Sequence, residues 1–213
     1  MCRITVFDGA QDKVFRSVQP LILASSSPRR KELLSSMGLT FDVVPSGVEE
    51  TAGGQDEDTL TLVQKWACDK ARAVSKLNPA SWVLAADTVV LLGRHMFGKP
   101  SDGDEAAFML RELGGKEHEV VSAICLINVA RKFFGVRSVK TKVMFKDLSF
   151  EEIAAYIETG EPFDKAGSYG IQGKGAFLVR SVHGSYTNVV GLPLCETLEW
   201  LTEQGVIAPS VGA

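Results

Sequence analysis

The sequence predicts an α/β fold, and three stretches carry that expectation. Leu21-Ile22-Leu23-Ala24 is a continuous apolar run of the kind a strand covered on both faces uses, and it passes through a serine-rich turn into a helical pattern. Phe41-Asp42-Val43-Val44-Pro45 follows as a second strand, and the return over a helix makes it a parallel neighbour of the first. Trp82 to Leu92 is the most apolar strand of the chain. At 213 residues this is one large domain or two small lobes around a cleft, long enough for a substantial core.

Residues 1–19 carry Arg3, Asp8, Asp12 and Lys13 among apolar neighbours, a poor signal peptide, and read as an N-terminal extension. Residues 20–205 read as a single domain and 206–213 as a C-terminal tail. After the first strand, Ser27 is a good N-cap and Pro28 a good first helical residue, because its ring fixes φ and its missing N–H needs no partner there. Leu33, Leu34 and Met37 form the buried stripe, and Gly38 suits the left-handed position that ends the helix. Arg29, Arg30 and Lys31 break the local rule, since cations in a first turn are disfavoured by roughly 0.3–1 kcal/mol each. Beside the hydroxyls of Ser25, Ser26 and Ser27 they make sense if an anion of several charges, such as a phosphate chain, sits on the helix end. The plainer reading is a solvated basic turn with Ser27 as nothing more than a cap.

The second strand leads into an acidic loop with Glu49, Glu50 and Thr51. A helix from about Thr59 to Leu77 follows, with Leu60, Val63, Ala67, Ala71 and Val74 at helical spacing; Lys65, Lys70 and Arg72 are cations on it. Asp87 interrupts the strand from Trp82 to Leu92. A carboxylate in a central strand is costly unless it is paired, hydrogen-bonded or bound to metal, so Asp87 is a site candidate; the alternative is a structural carboxylate capping a loop or bulge. Gly93-Arg94 reads as a hairpin turn, and the returning segment to Pro100 brings Lys99 to the level of Asp87. Ser101 opens a helix closed by Gly114-Gly115, and His118–Val129 with Phe134–Phe145 reads as a long hairpin belonging partly to a second lobe.

Ser149-Phe150-Glu151-Glu152 is a capping box that starts a helix ending at Gly160. The loop from Glu161 to Gly173 is dense in glycine and charge; it places Asp164 and Lys165 together, and its glycines let a backbone approach a ligand. The alternative is an elaborate turn with an internal ion pair. Ala176–Val182 and Ser185–Val190 read as a final hairpin, and Leu192–Gln204 as a closing helix.

The net charge of -3 argues against non-specific nucleic-acid binding, which needs a basic face, so the basic residues serve something local and small. Four scattered cysteines without a C-x-x-C pair read as reduced thiols of a cytoplasmic protein. No apolar run approaches the roughly 20 residues of a membrane span, and the three histidines lack zinc spacing.

Five stretches in order resemble the Maf (septum-formation inhibitor) family. They are Ser25-Ser26-Ser27-Pro28-Arg29-Arg30-Lys31-Glu32-Leu33-Leu34, Ala86-Asp87-Thr88-Val89-Val90, Gly98-Lys99-Pro100, Asp164-Lys165-Ala166-Gly167-Ser168-Tyr169-Gly170-Ile171-Gln172-Gly173 and Val189-Val190-Gly191-Leu192-Pro193-Leu194. The resemblance implies an elongated mixed-sheet fold of two lobes around a central cleft, similar to the inosine triphosphate pyrophosphatases. It also implies a metal-dependent nucleoside triphosphate pyrophosphatase, with the glycine-loop form typical of the subgroup acting on dTTP and UTP. By motif position Asp87 matches the catalytic aspartate, and Arg29, Thr88 and Gln172 match positions tied to substrate choice. Lys70, Lys99 and Glu50 match other polar positions of the cleft. Two departures stand out: Ser122 where the family has threonine, and Ser26 where glycine or alanine is commoner.

On this reading Arg29 and Arg30 hold the phosphates with the helix end, and Ser25, Ser27, Lys70, Asp164 and Lys165 line the substrate. Mg²⁺ or Mn²⁺ bridges phosphate oxygens to Asp87 and Glu50, or Asp87 instead takes the proton of the attacking water, with Lys99 beside it. A homodimer is the family's habit. The rival reading is a nucleotide-binding regulator of cell division without turnover.

Overall fold

A computed structural model describes residues 13–49 and 58–210. The core element is a seven-stranded mixed sheet. Its strands are β2 (Leu21–Leu23), β3 (Asp42–Val43), β4 (Trp82–Leu92), β5 (His95–Phe97), β6 (Glu117–Asn128), β7 (Phe133–Phe145) and β8 (Val179–His183), in the order β3-β2-β4-β6-β7-β8 with β5 also on β4. The two pairings of β2 are parallel and the rest antiparallel, so the α/β reading with a mixed sheet holds. A separate two-stranded sheet joins β1 (Phe15–Ser17) to β9 (Ile207–Pro209), near the two ends of the chain.

The helices are α1 (Pro28–Ser35), α2 (Thr59–Ser75), α3 (Gly103–Leu113), α4 (Phe150–Glu158), α5 (Tyr186–Val190) and α6 (Leu194–Glu203). Alternation along the strands sorts their side chains into different cores. Val83, Ala85, Val89 and Leu91 of β4 join Val121, Ala123, Cys125 and Ile127 of β6 beneath the apolar stripe of α2. On the other face, Leu84, Ala86, Ile124 and Leu126 pack with Leu34 of α1 and with Leu198 and Leu201 of α6. Farther along that face Val90 and Val120 belong to a third cluster with α3 and α4. The residues between the two clusters are Thr88 and Ser122, directly opposite each other in register. One face of the sheet is thus a continuous core, while the other is split by a polar seam into two lobes.

Local signals explain most elements. Ser149 and Glu152 form the reciprocal capping box, and Gly38 takes φ +82° after α1. Gly93, at φ +62°, turns β4 into β5. The final hairpin does not form. Gly173–Leu178 is 3₁₀ helix, β8 pairs with β7, and Tyr186–Val190 is helical despite its β-branched run. Ser185 caps that helix by accepting from the Asn188 N–H at 3.2 Å. The buried Asn188 amide then donates to Val120 O at 3.0 Å and Val139 O at 3.4 Å, contacts that override local β propensity.

Candidate active site

Strand β6 covers one edge of β4 from Val83 to Leu91. The other edge is covered by β2 as far as Leu84 and again by β5 from Val90. Among the described residues, 85–89 therefore have no strand neighbour on that edge. The gap opens into a cleft of about 520 Å³, walled by residues 24–30, residues 45–48, the β4 edge and the loop around 164–172. A break in strand order of this kind gives an α/β sheet room for a ligand.

Asp87 lies at the middle of the gap, 4% exposed, and strand alternation turns it toward α2. Lys70 of α2 places its Nζ 3.1 Å from Asp87 Oδ2, with the two side chains 12% and 6% exposed, and the Thr88 N–H donates to Oδ1 at 2.9 Å. A cation and a main-chain donor are what allow a carboxylate to lie in a buried strand. Lys99, exposed two residues beyond β5, lines the same cleft, but the cation bonded to Asp87 is Lys70.

A second charged group spans the cleft. Arg29 Nη1 donates to Asp164 Oδ2 at 2.7 Å and Nη2 to Asp164 O at 3.3 Å, while Lys165 Nζ donates to Asp164 Oδ1 at 2.6 Å and to Glu161 O at 2.6 Å. Partial burial pushes the Asp164 carboxyl up, but the hydrogen bonds from Lys165 and Arg29 outweigh it and hold the group below its ordinary value. Glycine is required at one place behind this loop. Gly167 has φ +68° and donates its N–H to Gly98 O at 2.9 Å, and a Cβ there would lie 2.9 Å from Val90 Cγ2. At Gly170 a Cβ would meet Lys165 Cε at 2.7 Å, the far end of a flexible side chain that can shift.

At the start of α1, Ser27 sits at the N-cap in an extended conformation, but its hydroxyl makes no capping bond. The turn is held instead by the buried Ser25, whose Oγ accepts from Ser27 N at 3.2 Å and from Arg30 Nη1 at 3.4 Å. Arg30 also donates from Nε to Gly191 O at 2.8 Å, from Nη1 to Ala86 O at 2.7 Å and from Nη2 to Thr88 Oγ1 at 3.2 Å. Gln172 is exposed at the rim of the cleft, and its amide makes no hydrogen bond among the described residues.

The sequence profile of the family described as "Maf-like protein" matches residues 20–204. The chain belongs to the Maf family. A protein of Desulfotalea psychrophila named "dTTP/UTP pyrophosphatase" is 46% identical over 195 residues, 92% of this chain and all of that protein. Proteins of the same name from a Geobacter species and from Myxococcus xanthus are 48% and 45% identical, covering 88% and 89% of this chain and 96% and 94% of theirs. Among solved structures, the Ham1 protein of Staphylococcus aureus matches with a TM-score of 0.42 at 14% identity, over 62% of this chain and 74% of that one.

In this Maf-family chain the cleft collects Ser25, Ser27, Arg29, Arg30, Lys70, Asp87, Thr88, Lys99, Asp164, Lys165 and Gln172. Glu50, expected as a metal ligand, lies outside the described residues. Sequence reasoning quoted Gly191 within a family stretch but gave no role to its carbonyl, which takes the Arg30 Nε–H, and read Ser122 as a departure from the family pattern. A glycine after two β-branched residues reads as a turn, which gives no sign that its carbonyl is an acceptor. The Ser122 hydroxyl, 2.8 Å from Thr88 Oγ1, becomes legible only once the β4–β6 register is known.

Proposed function

We propose that this protein hydrolyses the bond between the α- and β-phosphates of UTP and dTTP, releasing nucleoside monophosphate and pyrophosphate in the cytoplasm. The observation that carries the reading is Asp87, a buried carboxylate at the floor of a cleft whose other charged lining residues are Arg29, Arg30, Lys70, Lys99, Asp164 and Lys165. Five cations against two carboxylates suit an anionic substrate that must also be attacked. The relatives named dTTP/UTP pyrophosphatase, matched over nearly their whole length, supply the substrate class.

Among the described residues no group of three or more His, Cys, Asp or Glu side chains surrounds a metal position. The Asp87 carboxylate in this cleft suits Mg²⁺ or Mn²⁺, since a hard cation of this kind is held by one or two carboxylates together with substrate phosphates. Asp87 would hold it, with Glu50 as the second carboxylate, and the ion would offset charge on the phosphoryl oxygens. Arg29 and the N-terminal end of α1, with the Ser27 hydroxyl, which makes no capping bond, bind phosphate. Lys70, Lys99 and Lys165 add neutralising charge, which favours the departing pyrophosphate. In the alternative role, in which Asp87 does not ligate the ion, its Oδ2 would take a proton from an attacking water, and the neutralised carboxyl would leave the Lys70 charge to offset the phosphates. Gln172 and Thr88 face the rest of the nucleotide.

The test is incubation with a panel of nucleoside triphosphates and Mg²⁺ while pyrophosphate is assayed. Release from UTP and dTTP well above that from CTP and the purine nucleotides is expected; phosphate release without pyrophosphate, or no turnover at all, would overturn the reading.

A further inference from the structure

The bare edge of β4 creates a difficulty that the fold has to solve. Main-chain groups that lose their strand neighbour need another partner, and Asp87 is the middle residue of the uncovered stretch. Arg30 fills the role. Its Nη1–H reaches Ala86 O at 2.7 Å and its Nη2–H reaches Thr88 Oγ1 at 3.2 Å, so one planar guanidinium grips the residues on either side of Asp87. The Nε–H, donating to Gly191 O at 2.8 Å, fixes the fork against the loop behind α5. Thr88 carries the grip to the carboxylate, since its N–H donates to Asp87 Oδ1 at 2.9 Å.

Ser122 closes the arrangement from the other side. Its side chain is fully buried, and its one hydroxyl partner among the described residues is Thr88 Oγ1. If Thr88 donated to Ser122, the Ser122 hydrogen would be left unpaired inside the protein, a state that folding disfavours. The satisfied pattern has Ser122 and Arg30 both donating to Thr88 Oγ1, with the Thr88 hydrogen directed to Gly191 O at 3.3 Å. The first-turn cation is thus explained by protein acceptors, because a fork of donors matches two main-chain carbonyls and a hydroxyl in a way that a point charge does not.

We propose that Arg30 is a positioning residue, acting on the reaction through Asp87 by holding Ala86 and Thr88, with Ser122 as its support, and not by binding the triphosphate. This rests on the pyrophosphatase reading for its rate measurement. The experiment compares Arg30→Lys, Ser122→Ala and Ser122→Thr with the wild type, measuring kcat and KM for UTP with Mg²⁺. Affinity for a non-hydrolysable α,β-imido UTP is measured by calorimetry alongside. For Arg30→Lys, kcat should fall by about 30-fold or more, with KM and analogue affinity within about threefold of wild type. Ser122→Ala should lose about three- to tenfold in kcat at unchanged KM, and Ser122→Thr should recover it.

A phosphate-binding arginine would behave in the opposite way: lysine would keep kcat, and analogue affinity would drop tenfold or more. Either result overturns the proposal. If Arg30→Lys fails to fold, Ser122→Ala decides, and wild-type kcat in a folded Ser122→Ala protein overturns it as well. A wild type without turnover is a failure of the functional reading alone; the analogue affinities then decide on Arg30, retention supporting the positioning role and loss overturning it.

Discussion

Asp87 has both carboxylate oxygens engaged, one by Lys70 and one by the Thr88 N–H, so its position is fixed before any substrate arrives. Replacement by asparagine keeps the shape and removes the charge. We expect Asp87→Asn to fold normally and to lose at least about 10²-fold in turnover, the minimum a general base contributes; a folded variant that retains more than a tenth of the wild-type rate would rule out the role. Gln172 presents the contrasting case. An amide offers a donor and an acceptor side by side, which matches the N3–H and carbonyl edge of uracil and thymine. Its side chain makes no bond to described residues, so selectivity arises only when the base orders it, and mismatched partners then cost about 1–3 kcal/mol. Gln172→Glu should lower the ratio of kcat/KM for UTP over CTP by about tenfold. An unchanged ratio would place base recognition elsewhere. Asp87 was legible in the sequence because a charge in an apolar strand violates burial rules, and the first-turn arginines were legible because they oppose the helix dipole. Lys70 as the partner of Asp87 was not, since a lysine on an amphipathic helix looks the same whether it faces water or a carboxylate.

At the scale of elements, the β-strands and capped helices followed from apolar runs and end signals, whereas the segment 176–190 did not. There Asn188, buried between β6 and β7, imposes helix on a run that reads locally as strand. The glycine loop was recognised by its density, and its anchor explains why the density is needed. Gly167 bonds to Gly98 at the end of β5 and lies against Val90 of β4, so the loop that carries Asp164 and Lys165 is seated on the strand that carries Asp87. Gly167→Ala adds a methyl group 2.9–3.1 Å from the Val90 side chain, at a positive φ that alanine resists. We expect a loss of about 1–3 kcal/mol, or roughly 2–12 °C in Tm for a protein of this size. Activity should fall further than stability because Lys165 moves with the loop. A Tm within about 1 °C of wild type would mean that the loop is anchored by other contacts.

At the scale of the whole molecule, the two clusters on the split face must be held in one relation for the cleft to keep its shape, and His118 lies in the distal one. Its ring is 2% exposed, bonded through Nε2 to the Tyr169 hydroxyl at 2.9 Å and set edge-on to Phe145. Burial lowers its pKa from 6.5 to about 4; the Lys116 backbone and the Glu117 carboxylate pull the other way without restoring it. The folded protein therefore keeps His118 neutral while the unfolded chain begins to bind a proton below about 6.5. With the folded pKa depressed, the associated stability is fully present above 6.5 and is lost as pH falls toward 4. Between pH 7.5 and pH 5 the loss amounts to about 2 kcal/mol. Because Tyr169 lies in the glycine loop, weakening this contact loosens the cleft wall along with the lobe. Denaturant unfolding across that range should show the decline in the wild type and a flatter profile in His118→Gln, whose side chain does not titrate. Most paired carboxylates contribute only lower in pH, Asp164 among them, since Arg29 and Lys165 keep it below the usual range. Equal pH slopes for the two proteins would assign the decline to other groups and leave His118 without a part in holding the distal lobe.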